Sequence, residues 1–136
     1  MELLFKKKLF LFLALGSLIL VSDQLFKTLI RLNDGFYICN PNIAFGIKIP
    51  DILFWIFWCG IILLLFYFLI KNFLSSNALY IIFILSGAIS NLIDRIWQGC
   101  VIDFINLAFW PIFNLADFFI TLGAIMLIIT YLKIKR

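Results

Sequence analysis

Apolar and polar residues divide the chain into four long hydrophobic stretches joined by short polar segments. The stretches predict membrane-spanning helices at about residues 9–26, 52–70, 79–94 and 113–132. Each approaches the roughly 20 apolar residues that a helix needs to cross a bilayer. Pro50 and Pro111 precede the second and fourth stretches, where a helix start tolerates proline. The third stretch is short, so we expect its helix to begin earlier or to continue past Asp94.

The composition requires a bilayer as the solvent of this chain. Hydrophobic residues make up 65% of the 136 positions and the mean hydropathy is +1.18, whereas soluble domains are about 45–50% apolar. Four spans and their connections nearly fill the length, so we expect one integral-membrane domain over residues 1–136. The apolar run from Leu9 to Val21 imitates a signal peptide, but no small-x-small cleavage site follows it, and we interpret it as a retained span.

The distribution of charge predicts the orientation of the spans. Basic residues cluster at Lys6–Lys8 and near the C-terminus, with Lys71 between, which is typical of segments held in the cytoplasm. Both termini are then cytoplasmic, and segments 27–51 and 95–112 lie outside. Because the basic residues form no single patch, the net charge of +4 does not indicate a nucleic-acid partner. This topology places six aspartates on the outer side: Asp23, Asp34, Asp51, Asp94, Asp103 and Asp117.

The first outer segment contains two short runs with high strand propensity. Residues 36–38 and 43–47 flank the turn-forming Asn40-Pro41-Asn42. Two such runs around turn residues predict a small β-hairpin or curled sheet. We expect this sheet to lie on the membrane surface over the helices.

Polar residues recur at helical spacing near the outer ends of three predicted spans. They are Asp23 and Lys27 in the first, Gly87, Ser90, Asn91 and Asp94 in the third, and Asn114 and Asp117 in the fourth. Offsets of three, four or seven place the members of each set on one helix face. The second span has no ionisable residue between Asp51 and Lys71, so we interpret it as an apolar scaffold.

The candidate chemistry belongs to carboxylates, because the chain contains no histidine. Asp94 has Arg95 beside it and Asp23 has Lys27 at i+4, which indicates ion pairs. Asp103 and Asp117 instead have apolar flanks, which raise the pKa of a carboxyl group. Two carboxylates that share a site titrate as a unit with one proton between them. The ionised member can then take a proton from water while the neutral member hydrogen-bonds the carbonyl under attack.

Spacing alone leaves other functions open. The same carboxylates fit a small ion- or proton-translocating protein, and the polar faces also fit a subunit in which they only pack helices together. Clustered aspartates can bind Mg²⁺ or Ca²⁺, although a carboxylate pair needs no metal. We therefore expect no metal and no cofactor.

The three cysteines give no metal-binding signal. Cys39, Cys59 and Cys100 lack CxxC spacing, and no histidine accompanies them. Cys39 and Cys100 both fall in outer segments, where a disulfide can form. We expect instead that they are two unpaired small apolar residues.

Five blocks of residues occur in an order that is specific to one protein family. They are Asp23-Gln24 with Lys27, Asn40 with Ala44-Phe45-Gly46, Gly87-Ala88 with Asn91-Leu92-Ile93-Asp94-Arg95, Gly99 with Val101-Ile102-Asp103-Phe104, and Phe113-Asn114-Leu115-Ala116-Asp117. In these blocks the chain resembles the lipoprotein signal peptidases, the type II signal peptidases of bacteria. The resemblance covers nearly the whole chain. Asn42 and Cys39 depart from the residues usual in the family.

The resemblance implies an all-α membrane protein with four transmembrane helices, cytoplasmic termini and a small extracytoplasmic β-cradle. It implies an aspartyl endopeptidase of the cell inner membrane, active near the extracytoplasmic surface. The enzyme would cut a prolipoprotein just before a diacylglyceryl-modified cysteine. Its expected partners are this lipid-modified substrate and membrane lipid, and we expect a monomer.

The same resemblance implies a role for each residue of the motifs. Asp103 and Asp117 correspond to the catalytic pair. Arg95 and Asn40 are expected to touch the substrate backbone or a lipid headgroup. The other residues at motif positions are expected to bind substrate or support the pocket: Asp23, Lys27, Asn91, Asp94, Asn114 and Ala116.

Overall fold

The computed structural model describes residues 2–41 and 50–134. Within these residues the chain forms four helices and one small sheet. The helices are α1 (Glu2–Leu32), α2 (Asp51–Lys71), α3 (Asn77–Gln98) and α4 (Leu115–Ile134), and the strands are β1 (Ile38–Asn40) and β2 (Val101–Asp103). All four helices are long and apolar enough to cross a membrane, which confirms the four predicted spans. The orientation of the termini stays a prediction.

The ends of two helices differ from the predicted ones. Helix α1 runs from Glu2 to Leu32 and not from about residue 9 to 26, because lysine and glutamine are good helix formers although hydropathy does not register them. Helix α3 begins at Asn77 and continues past Asp94 to Gln98, as expected, and ends where Gly99 adopts a left-handed conformation (φ 73°) and donates its N–H to the Arg95 carbonyl. Helix α4 begins at Leu115 and not at residue 113, because Phe113 takes part in a β-bridge.

Helix α3 lies at the centre of the bundle and packs against the other three helices. Its buried face carries small residues, including Ser86, Gly87 and Ala88, which allow helix backbones to approach closely. At the α3–α4 contact, a Cβ added to Gly87 would lie 2.5 Å from the carbonyl oxygen of Ala116. Outward-facing residues of α2 are large, apolar and exposed, as expected for a helix bathed in lipid.

The two ends of the bundle differ in chemistry. The ends of α1 and α3 and the start of α4 meet at one end, which we call the site end. At the opposite end Lys8 Nζ donates a hydrogen bond to the Leu74 carbonyl in the turn between α2 and α3. Apart from Glu2 and Asn77, the acidic and amide side chains of α1, α3 and α4 are therefore gathered at the site end, away from the basic N-terminus.

The sheet joins two segments that are far apart in the chain. Strands β1 and β2 pair in antiparallel register, with Ile38 opposite Asp103 and Asn40 opposite Val101. The second run of the predicted hairpin, residues 43–47, lies outside the described residues. What the structure shows is that β1, which overlaps the first predicted run, pairs with β2.

The expectation of unpaired outer cysteines is wrong. The structure contains a disulfide between Cys39 and Cys100, with a Cα–Cα separation of 5.4 Å. The register of the sheet explains the bond, because pairing of β1 with β2 brings the two cysteines within disulfide range. The sequence gives no sign of this proximity, because the two cysteines are 61 positions apart in the chain.

Beyond β2 the chain forms a short hairpin before α4 begins. Ile105 and Phe113 form an antiparallel bridge, and each bonds the backbone of the other. At the tip of this hairpin, residues 105–113, the side chains of Phe109 and Trp110 are 85% and 54% exposed. The hairpin joins strand β2, which ends at Asp103, to the first turn of α4.

Candidate active site

Polar side chains from three helices and both strands meet at the site end. Most of them are fully or nearly fully buried. They are Asp23 and Lys27 from α1, Asn40 from β1, Ser90, Asn91 and Asp94 from α3, Asp103 from β2, and Asn114 and Asp117 at the start of α4. A buried polar group is costly unless it is hydrogen-bonded, and the contacts below show how each one is satisfied.

The start of α4 is a capping box that fixes both Asn114 and Asp117. The Asn114 side-chain oxygen accepts a hydrogen bond from the Asp117 N–H (2.8 Å), and Asp117 Oδ2 accepts a longer one from the Asn114 N–H (3.4 Å). Reciprocal bonds between the cap residue and the third helical residue define this motif. Asp23 Oδ1 accepts a further bond from the Ala116 N–H (2.9 Å). The Asn-Leu-Ala-Asp sequence therefore orients Asp117 as it begins the helix.

Asp103 is held by two amide side chains. Its Oδ1 accepts a hydrogen bond from Asn114 Nδ2 (2.7 Å), and its Oδ2 accepts one from Asn40 Nδ2 (3.1 Å). Asn40 reaches it from the neighbouring strand, where the register makes the two residues diagonal partners. The Asn114 side chain thus contacts both aspartates, donating through its nitrogen to the Asp103 carboxylate and accepting through its oxygen from the Asp117 backbone N–H.

Asn91 connects Asp117 to the interior of the bundle. Its Nδ2 donates to Asp117 Oδ1 (2.8 Å). Its Oδ1 accepts from Lys27 Nζ (3.0 Å) and from Asn114 Nδ2 (3.1 Å). Because one side of the amide faces a cation and the other an anion, its orientation is determined, with the nitrogen directed at the carboxylate.

Lys27 is a buried cation shared by two carboxylates. Its Nζ lies 2.5 Å from Asp23 Oδ2 and 2.7 Å from Asp94 Oδ2, and the three side chains are at most 2% exposed. The predicted pair of Asp23 with Lys27 is present. The ion pair that the structure gives Asp94 is also to Lys27, across the α1–α3 contact. Removing one member of such a buried cluster would leave an uncompensated charge, which typically costs about 3–5 kcal/mol.

Further donors satisfy the two carboxylates bound to Lys27. Asp23 Oδ2 accepts from Ser90 Oγ (2.7 Å). Asp94 accepts from Gln24 Nε2 (2.8 Å) and from the Ile102 N–H (3.2 Å). The last bond ties α3 to β2, one residue before Asp103. The ionic cluster thereby positions the strand that carries Asp103.

The environment of Asp103 shifts its acidity. Burial raises the pKa of Asp103 from 3.8 to about 6, since only 4% of the residue is exposed. The hydrogen bonds from Asn40 and Asn114 oppose this rise, and the negative charge of Asp117 adds to it. This agrees with the interpretation that apolar flanks raise the pKa and that the two carboxylates interact.

Arg95 lies at the edge of the site and contacts α2. Its guanidinium carbon is 5.0 Å from the ring centroid of Phe54 and 5.6 Å from that of Trp58. The carboxylates of Asp117 and Asp103 attract its charge. Helix α2 is therefore more than the apolar scaffold that its sequence predicts, because Phe54 and Trp58 contact Arg95. Their i, i+4 spacing near the start of α2 was the available signal.

The structure brings together the residues predicted to form the site: Asp23, Lys27, Asn40, Asn91, Asp94, Arg95, Asp103, Asn114, Ala116 and Asp117. Gln24, Ser90 and the Ile102 N–H also contribute, although none was a predicted site residue. Ala44, Phe45 and Gly46, which the resemblance included, lie outside the described residues. Asn40, expected to touch substrate, donates to Asp103 in the structure. In the described part of the chain, no group of three or more His, Cys, Asp or Glu side chains could hold a metal ion.

Similarity to known proteins extends over almost the whole chain. A family model described as signal peptidase (SPase) II matches residues 15–133. The lipoprotein signal peptidase of Syntrophus aciditrophicus (strain SB) is 34% identical, and the alignment covers 96% of this chain and 98% of the relative. The lipoprotein signal peptidase of Moorella thermoacetica is 36% identical over 85% of this chain and 89% of the relative.

Two solved structures share the fold, each described as a bacterial membrane enzyme. One superposes with a TM-score of 0.76 at 28% identity, over 90% of this chain and 92% of that one. The other has a TM-score of 0.73 at 25% identity, over 90% and 87% of the two chains. With its four spanning helices, the protein is thus an integral-membrane peptidase. Its family is signal peptidase II, to which the chain belongs.

Proposed function

We propose that this protein removes the signal peptide from prolipoproteins, by hydrolysis just before a diacylglyceryl-modified cysteine, and that Asp103 and Asp117 are its catalytic pair. Membership of the signal peptidase II family supports the reaction. The observation that supports the pair is the position of Asn114, which donates to Asp103 and accepts from the backbone of Asp117. One amide thereby joins the Asp103 carboxylate and the Asp117 backbone, from different elements, in a single hydrogen-bonded unit.

The chemistry follows from one proton shared by two carboxylates. The ionised member takes a proton from water, and the protonated member hydrogen-bonds the scissile carbonyl. The tetrahedral intermediate then collapses as a proton passes to the leaving amine. The pKa of Asp103, raised to about 6, allows the pair to hold this proton near neutral pH. Because the carboxylates interact, the pH profile of the enzyme belongs to the pair and not to either residue.

The remaining polar residues fall into two groups in this proposal. Asn91 and Asn114 hold the catalytic carboxylates, and the cluster around Lys27 fixes the elements that carry them. Arg95 and Asn40 stand at the edge of the pair, where a substrate backbone or lipid headgroup would arrive. The enzyme acts as a monomer in the cell inner membrane, with the site end at the extracytoplasmic surface and membrane lipid around the helices.

The alternative of an ion or proton carrier lacks support in the described spans. A translocation path needs acidic or polar steps from one membrane face to the other. Among the acidic side chains that the structure describes in the spans, Asp23, Asp94 and Asp117 lie at the site end and Glu2 is exposed at the start of α1. Helix α2 has no Asp, Glu, Lys or Arg between Asp51 and Lys71.

The decisive experiment offers the purified protein a lipid-modified prolipoprotein and an unmodified control, followed by mass analysis of the products. We expect cleavage directly before the lipidated cysteine and none in the control. Asp103→Asn and Asp117→Asn should each abolish cleavage while the protein remains inserted and folded. Asp34→Asn is the matched control, because Asp34 is exposed in the turn after α1 and makes no contact with the pair. Undiminished cleavage by either Asn variant of the pair would exclude the assigned dyad.

A further inference from the structure

We propose that Phe54 and Trp58 on α2 are positioning residues that hold the Arg95 guanidinium beside the carboxylate pair. The inference rests on the proposed function, because it assigns Arg95 to the substrate side of that pair. It gives α2, which carries no Asp, Glu, Lys or Arg between Asp51 and Lys71, a direct connection to catalysis.

The geometry is that of a cation against a double aromatic surface. The guanidinium carbon of Arg95 lies 5.0 Å and 5.6 Å from the two ring centroids. The rings stack on each other, with centroids 5.7 Å apart and planes inclined by 16°. Both distances fall within the range of about 6 Å in which a cation interacts favourably with an aromatic face.

The contact is specific to one face of α2. Phe54 and Trp58 lie four positions apart and share the face of α2 that packs on α3. Their neighbours Ile56 and Phe57 are 62% and 63% exposed, as expected for residues in contact with lipid. The two half-buried rings contact a cation of a different helix, Arg95 of α3, whereas Tyr67 of α2 contacts Lys71 of its own helix.

Both the rings of α2 and the nearby carboxylates attract the Arg95 guanidinium. The negative charges of Asp117, Asp103 and Asp94 all attract the guanidinium. The contact of Arg95 with its own helix is weak, since Nη1 lies 3.4 Å from the Asn91 carbonyl oxygen. Aromatic rings attract a guanidinium through its flat face, whereas its N–H donors lie in its plane. The rings therefore fix the position of the charge without competing for those donors.

Leucine substitutions test the rings, because leucine keeps apolar bulk but removes the π-face. With a lipid-modified prolipoprotein, Phe54→Leu and Trp58→Leu should each lower kcat/KM about 3- to 30-fold, the range expected of a cation–π contact. Trp58→Phe restores a ring and should recover most of the activity. Phe57→Leu is the matched control on the lipid-facing side and should have no effect. Equal losses in Phe57→Leu and Phe54→Leu would overturn the proposal.

A double-mutant cycle separates positioning from packing. If Trp58 acts through Arg95, Trp58→Leu should cause little further loss of activity in an Arg95→Ala background. The full loss in that background would overturn the proposal. The same cycle is measured in thermal unfolding, which requires no cleavage. Coupling there supports the contact even if the proposed reaction fails, whereas additive effects in both measurements would refute it.

Discussion

Replacement of Gly87 by alanine should disturb catalysis through a backbone contact. A Cβ at this position would lie 2.5 Å from the Ala116 carbonyl oxygen and 2.8 Å from Ile120 Cγ1. A carbon and a carbonyl oxygen normally approach no closer than about 3.3 Å. The first turn of α4 must therefore move by roughly 0.8 Å, and Asp117, the next residue after Ala116, must move with it.

The expected magnitudes differ for stability and activity. Overpacking of a close contact typically costs about 1–3 kcal/mol in the free energy of unfolding. Misplacement of a reacting group by about 1 Å can cost about 100-fold in rate. We therefore expect Gly87→Ala to lower kcat by roughly 10- to 100-fold while most of the protein remains folded at the assay temperature.

Gly123 provides a matched control on the same helix contact. A Cβ there would lie 2.6 Å from the Tyr80 carbonyl oxygen and 2.8 Å from Ile84 Cγ1. The clash is equally severe, but it occurs about 10 Å further along α4 from Ala116. Gly123→Ala should therefore lose similar stability and much less activity. Gly60→Ala should be neutral or slightly stabilising, since no atom of the described residues lies within 4 Å of its added Cβ.

The assay compares thermal unfolding in detergent with prolipoprotein cleavage for the three variants. We expect Gly87→Ala to lose more activity, relative to its loss of stability, than Gly123→Ala does. If Gly87→Ala and Gly123→Ala lose activity in proportion to stability, the contact at Gly87 serves packing alone and the argument about Asp117 is wrong.

Three further predictions concern the carboxylates and the sheet. The folded protein binds a proton on Asp103 more tightly than the unfolded chain does, because the pKa rises from 3.8 to about 6. The stability contributed by Asp103 should therefore fall by up to about 3 kcal/mol as the pH rises from about 4 to about 6. The free energy of unfolding of Asp103→Asn, measured with denaturant, should lack this part of the pH dependence. The same pH dependence in the variant and the parent protein would show that Asp103 is not its source. Asn114→Ala should lose about 0.5–2 kcal/mol with its helix cap, whereas Asn114→Ser should keep the cap and regain stability. Both variants should cleave poorly because each lacks the amide donor to Asp103, and full activity of the serine variant would show that this donor is dispensable. A dithiol reductant should lower the melting temperature of the parent protein by removing the Cys39–Cys100 bond, which typically stabilises a fold by about 2–4 kcal/mol. The Cys39→Ser/Cys100→Ser double variant should not respond, and an equal response would place the effect elsewhere.

The sequence predicts those features of the fold that depend on local pattern. Hydropathy identifies the four spans, because each must be apolar along most of its length. Helical periodicity identifies the polar faces of α1 and α3, and i, i+4 spacing identifies the pair of Asp23 with Lys27. These features require only that each helix forms, so neighbouring residues carry the information.

Local sequence pattern does not predict the features that depend on how distant segments of the chain meet. The bond between Lys27 and Asp94 requires the rotation of α1 about its axis relative to α3. The disulfide of Cys39 depends on the pairing of β1 with β2, since neither strand specifies its partner. The aromatic contacts of Arg95 depend on which face α2 turns toward α3. The dual role of Asn114 combines a cap, which is local, with a bond to Asp103, which is not.

The hairpin 105–113 has a consequence for the depth at which the enzyme works. Its two stems lead to Asp103 and Asp117, and its tip exposes Phe109 and Trp110. Tryptophan is enriched at the headgroup layer of a bilayer. We therefore expect the hairpin to lie in that layer and to hold the proposed pair, Asp103 and Asp117, at the same depth. In a thicker or thinner bilayer we expect the helices to tilt while this depth stays the same.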